Sequence, residues 1–239
     1  MSVLLQYVPL GLLGLLLWVL IRRRAYQLSP CFFTYAVFGV AAGAARFAVH
    51  NHRDAYYLTY WITEAGYDLL GILVMYEVFR TVLGKLFRDW RAPAIFLTIL
   101  AASFGLSLAR AHDVPSQLGG ILFYIVLGET AVRFVQVFVF SGLVTLVRVL
   151  GLRWRQYSFG VATGFGLYAT VMLLTTVKFS DFGTKFKLLW GWTSVVAYSL
   201  TVVIWIWFFS APQKTETSVV ELPSPNDLTR YRDALRRMR

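Results

Sequence analysis

Long apolar runs, each broken by a short polar or proline-bearing segment, recur along this chain from end to end. Seven of them approach the roughly 20 residues needed to cross about 30 Å of hydrocarbon as a helix. They fall at about 3–21, 31–49, 57–79, 93–110, 118–147, 158–177 and 189–209. Prolines punctuate them. Ser29-Pro30 reads as the cap and first residue of the second helix, and Pro93 as the first residue of the fourth. Pro115 precedes the fifth helix, Pro212 closes the seventh, and only Pro9 lies inside a span. The expected fold is therefore all-α: a polytopic seven-transmembrane-helix bundle over residues 1–210. A cytoplasmic linker and a short basic amphipathic helix complete it at 211–239.

The first run, MSVLLQYVPLGLLGLLLWVL, has no basic residues before it and is too long for a signal-peptide core, so it reads as a retained helix. The fifth is long for a single crossing and is expected to tilt or to project beyond the bilayer. In the tail, Leu228, Tyr231, Leu235 and Met238 recur at helical spacing among arginines, a pattern that suits an anionic lipid surface.

Composition strengthens this picture. Of 239 residues, 58% are hydrophobic and only 15% charged, against about 25% charged in a soluble domain. The net charge of +11 would suit nucleic acid, but the basic residues sit in short loops and the tail. Sixteen lysines and arginines flank one set of helix ends: Arg22, Arg23, Arg24, Arg80, Lys85, Arg88, Arg91, Arg148, Arg153, Arg155, Lys214, Arg230, Arg232, Arg236, Arg237 and Arg239. Five flank the other: Arg53, Arg110, Lys178, Lys185 and Lys187. That bias places the N-terminus outside and the C-terminus inside, with no nucleic-acid partner. The lone cysteine, Cys31, excludes an internal disulfide.

The third run, Tyr57–Arg80, is the one on which the chemistry turns, because it carries Glu64, Asp68 and Glu77. A charge in hydrocarbon costs several kcal/mol unless paired, protonated or wetted. Five ionisable residues fall well inside the expected spans: Arg46, Glu64, Asp68, Glu129 and Arg133. Glu64 and Asp68 share a helix face, as do Glu129 and Arg133, so the latter can pair within their helix. Arg133 is also expected to reach Asp68 across a helix interface. Tyr60 and Tyr67 lie near the same face and can supply hydroxyls. Three acids against two arginines leave one excess negative charge. Glu77, near the end of its span, reads as a surface pair with Arg80.

Two readings of the cluster stand side by side: structural glue, or a site for a proton, a cation or a small polar solute. A membrane sensor or scaffold signalling through basic loops and tail is the alternative function. No catalytic pair, phosphate loop or cofactor motif is present. His50, His52 and His112, with Asp54 and Asp113, are weak metal candidates; their spacing matches no standard zinc pattern. Gly39/Gly43 and Gly160/Gly164 form GxxxG stripes, read as close packing within the bundle or as a homodimer face.

The residues Tyr60, Trp61, Glu64, Tyr76, Glu77, Val78, Phe79 and Arg80 (YWxxE…YEVFR) resemble a group of small acidobacterial-type seven-helix membrane proteins with no assigned activity. The resemblance implies a multi-pass protein of the bacterial inner membrane and no functional residues. Seven helices also occur in rhodopsins, but the span 189–209 lacks the mid-helix lysine that retinal requires.

Overall fold

The computed structural model describes residues 3–83, 91–109, 121–150, 156–182 and 187–211. Among them lie seven α-helices: α1 (Val3–Arg22), α2 (Pro30–Ala48), α3 (Arg53–Leu83), α4 (Arg91–Ala109), α5 (Ile121–Leu150), α6 (Gln156–Phe182) and α7 (Lys187–Ser210). A single 3-10 turn, Ala25–Gln27, joins α1 to α2. The expected helix over 226–239 and the candidate His112 lie outside the described residues. Four helices contain stretches long and apolar enough to cross a membrane: Pro30–Ala48, Leu127–Thr145, Tyr157–Thr175 and Trp192–Ser210. Val8–Arg22 within α1 and Pro93–Ala109 within α4 are shorter apolar stretches. The helix α3 is long, but its carboxylates lower its apolarity.

Each helix packs on the next, and α7 returns to α1, so the seven close into a ring. The third helix also touches α5 and α6, which draws it to the inside. Its 31 residues rise about 46 Å at about 1.5 Å each. It can therefore carry groups at several heights past every inner neighbour.

One end of the ring gathers the C-termini of α1, α3, α5 and α7 and is basic, with Arg22–Arg24, Arg80 and Arg148 among the described residues. Below mid-height at this end the interior is aromatic and apolar. Phe32 packs edge-on against Trp205 at 5.0 Å and stacks on Phe209 at 5.3 Å. Phe165 meets both Tyr35 and Trp205 at about 5 Å. Leu16, Leu20, Met75, Leu83, Val135, Val139 and Leu143 fill the remainder.

Both glycine stripes are spent on this packing. A Cβ at Gly39 would meet Leu13 of α1 and the Tyr67 hydroxyl of α3, and one at Gly43 would meet Leu10. Gly160 seats Phe208, and Gly164 seats the indole of Trp205. Close packing within the chain accounts for all four.

The helix starts need one correction. Pro30 opens α2 as expected, but Ser29 gives no side-chain cap. The cap comes from α3: Glu77 Oε2 accepts the Phe32 N–H at 3.2 Å, with Cys31 and Ser29 beside the same carboxylate. Glu77 is thus no surface partner of Arg80, which is exposed and, among the described residues, forms no ion pair. A carboxylate facing unpaired N–H groups at a helix start satisfies them and complements the helix dipole. Hydrogen bonds to charged groups contribute about 1.5–3 kcal/mol. Glu77→Ala is expected to lower stability in detergent by that amount, and Glu77→Gln by less, since its amide oxygen still accepts. Arg80→Ala should leave the unfolding midpoint in place. Equal losses at both positions would restore the surface-pair reading.

Candidate functional site

The far half of the ring, away from the aromatic plug, holds the ionisable residues singled out by the sequence. Arg46 lies in the last turn of α2 and reaches across to α3. Its Nη2 meets Glu64 Oε1 at 3.0 Å, and its Nε donates to Thr63 Oγ1 at 2.7 Å. The same guanidinium carbon lies 4.6 Å from the ring centre of Tyr60 and 5.8 Å from that of Tyr67. A guanidinium held by a carboxylate, a hydroxyl and two π faces has a defined place. The buried Thr63 hydroxyl donates back to the carbonyls of Thr59 and Tyr60, as a threonine does inside a helix. Tyr67 donates its hydroxyl to the Gly39 carbonyl of α2 at 3.3 Å.

On α5, Arg133 pairs with Glu129 one turn before it. The four-residue spacing that the sequence offered is thus used within the helix. The side chains are mostly withdrawn from the surface, Arg133 at 11% exposure and Glu129 at 25%.

Asp68 is placed differently from expectation. Among the described residues the ion pairs are Arg46–Glu64 and Arg133–Glu129, and neither involves Asp68. Arg133 is near enough to act on Asp68 electrostatically, as are Glu64 and Glu129, but no contact-distance pair closes between them. The reason is local. Arg133 has a partner on its own helix at the preferred spacing. Gly71, one turn beyond Asp68, lets α5 approach, and a Cβ there would meet Gln136 and Val132. The arginines are therefore both committed, and Asp68 is the cluster carboxylate left without an ion pair among the described residues.

Three tyrosines complete the surroundings, and the sequence reading missed them. Tyr168 on α6 feels Arg133, Glu64, Glu129 and Asp68 together. Its ring lies 5.7 Å from that of Tyr198 on α7. The Tyr198 hydroxyl is buried near those of Tyr35 and Tyr67 and makes no aligned hydrogen bond. Tyr35 packs edge-on against Tyr67 at 5.5 Å. For two of them a signal was available: Tyr168 and Tyr198 lie mid-helix, not at the ends where an interfacial belt would put them, whereas Tyr35 lies in the second turn of α2.

The described histidines, His50 and His52, stay apart from this centre. His50 stacks on Phe47 and bonds its carbonyl through Nδ1 at 2.7 Å, while His52 lies exposed in the turn before α3. Among the described residues no three His, Cys, Asp or Glu side chains converge as a metal cage. In particular, Glu64, Asp68 and Glu129 share a region without sharing a ligand point.

Comparison with protein-family models, curated proteins and solved structures found no match.

Proposed function

We propose that this chain is a seven-span protein of the bacterial inner membrane that binds or carries a proton, another small cation or a small polar solute at Asp68. The carrying observation is the charge balance. Each arginine of the cluster already holds a glutamate, so Asp68 is the carboxylate left for a cargo charge. A lone ionised carboxylate among apolar packed helices is costly, and a bound proton or monovalent cation removes that cost. The tyrosine hydroxyls and rings nearby suit a cation, by oxygen contact or by their π faces. The three carboxylates do not meet at one point, which favours a single charge over a divalent ion. The aromatic packing that fills the interior at the basic end supports approach from the Arg46–Glu64 side.

The test is uptake of protons, sodium, potassium or methylammonium by the full chain in proteoliposomes. Asp68→Asn is expected to reduce it at least about tenfold, the scale of losing one charged contact. Uptake unchanged in Asp68→Asn would remove Asp68 from the site, and no uptake by the parent protein would remove the reading. The topology has its own check. With sixteen basic residues on the C-terminal side, a periplasm-active reporter fused after Arg239 should be silent and a cytoplasm-active one bright. The opposite pattern would invert the bundle.

A further inference from the structure

At the basic end, α1 delivers Arg22, Arg23 and Arg24 in succession. Arg24 adopts φ 52°, ψ 32°, a left-handed conformation that stops the helix abruptly, as a C-terminal residue does. Arg23 donates from Nη2 to the Ser210 carbonyl at 2.7 Å, so it satisfies the last turn of α7. Arg22 lies over the Trp18 ring, 5.2 Å from its centre. Trp18 is itself 54% exposed. Trp18, Val19, Arg22, Arg23 and Ser210 line an open cavity of about 410 Å³. Among the described residues no carboxylate forms an ion pair with any of these arginines, since both pairs there belong to Arg46 and Arg133.

Two guanidinium forks that no described carboxylate pairs, beside an exposed indole, have a natural complement. The planar fork matches the oxygens of a phosphate two at a time, and the indole belongs at headgroup level. We propose that Trp18, Arg22, Arg23 and the end of α7 form a seat for the phosphate of an anionic lipid headgroup. Free phosphate shares that chemistry. The lipid is favoured because exposed apolar side chains lie one helical turn from the lining residues: Leu15 and Ile21 three residues either side of Trp18, and Trp207 three before Ser210. A bound lipid covers that surface with its chains, and a free ion leaves it bare. The seat is built from α1 and α7 and is separate from the expected contact of the C-terminal segment with lipid.

The experiment uses the delipidated full chain in micelles, titrated with phosphatidylglycerol, phosphatidylcholine or inorganic phosphate and read by native mass spectrometry. Phosphatidylglycerol should be retained in preference to phosphatidylcholine. Arg22→Gln should weaken that retention about fivefold, the usual scale for one arginine at an anionic surface. Arg148→Gln, an exposed arginine at the same end on α5, should leave it unchanged. Arg22 is the residue of choice because Arg23 also holds the end of α7, so Arg22→Gln spares that contact. Equal retention of both lipids would overturn the proposal. So would equal losses for Arg22→Gln and Arg148→Gln, which indicate a diffuse field and not a seat. Retention of inorganic phosphate with no preference for phosphatidylglycerol would make it a free-anion site and overturn the lipid assignment.

Discussion

Arg133→Leu is expected to lower the stability of the purified protein in detergent by about 3–5 kcal/mol, the usual cost of deleting one member of a buried pair. The substitution leaves Glu129 without the guanidinium it now touches and removes the arginine charge that acts on Asp68. Leucine is itself well suited to a helix interior, so the loss belongs to the stranded carboxylates. Arg133→Leu with Glu129→Gln should recover most of it, and adding Asp68→Asn should recover more. Replacing a whole buried ion pair by uncharged groups is often neutral, in contrast to breaking it. Denaturant midpoints of the single, double and triple variants measure the coupling directly. If Arg133→Leu alone leaves the midpoint unchanged, Arg133 reaches water or headgroups and the pairing has no energetic weight. The triple variant also divides the two roles of the cluster. A folded triple variant that still takes up cations would mean the cluster is structural glue and the site lies elsewhere.

The second large effect is expected at Gly164. A Cβ there would overlap the indole of Trp205 at Nε1, Cε2 and Cδ1. Trp205 is fully buried and has nowhere to go, with Phe32 edge-on and Phe165 tilted against it, both ring centres 5.0 Å away. Its Nε1 also points to the Val161 carbonyl at 3.4 Å, a contact that any sideways shift would lose. Overpacking a filled core costs about 1–3 kcal/mol, and Gly164→Ala should fall at the upper end, with Gly164→Val beyond it. Gly142→Ala is the control, since nothing lies within 4 Å of the point its methyl group would occupy. Alanine is also the better helix former by up to about 1 kcal/mol. Its midpoint should hold or rise slightly. Combining Gly164→Ala with Trp205→Leu should restore part of the loss by opening the space the methyl needs. An unaltered midpoint for Gly164→Ala would show that α6 and α7 separate freely at this level.

The helices were legible in the sequence because each apolar run is bounded by polar residues, glycine or proline, and the structure places all seven within a few residues of those bounds. The pairs Arg46–Glu64 and Glu129–Arg133 involve residues that the burial cost of charge had already marked. The choice among partners was not legible. Glu77 has Arg80 three residues away, so a local pair looked sufficient, whereas its real role depends on where α2 begins relative to α3. Arg133 had two acids within plausible reach; the pair with Glu129 on its own helix follows from the four-residue spacing, and the lack of a second pair with Asp68 emerges only when α3 packs on α5. Tyr35, Tyr168 and Tyr198 sit in runs that read as plain apolar helix, and their hydroxyls become significant only when three helices bring them together. Thr63 was passed over for the same reason, although it takes a hydrogen bond from Arg46.

The contacts between α2 and α3 have a mechanical consequence. They occur at three heights: Arg46 with Glu64 and Thr63 near one end, Tyr67 with Gly39 in the middle, and Glu77 with the Phe32 N–H near the other. From Glu64 to Glu77 the fastening runs about 20 Å along α3. Two rods pinned at three points cannot slide, roll or splay independently without breaking charged contacts at more than one level. Helices α2 and α3 therefore behave as a single plank. A rearrangement that exposes Asp68 must move the plank whole or shift α5, α6 and α7 past it.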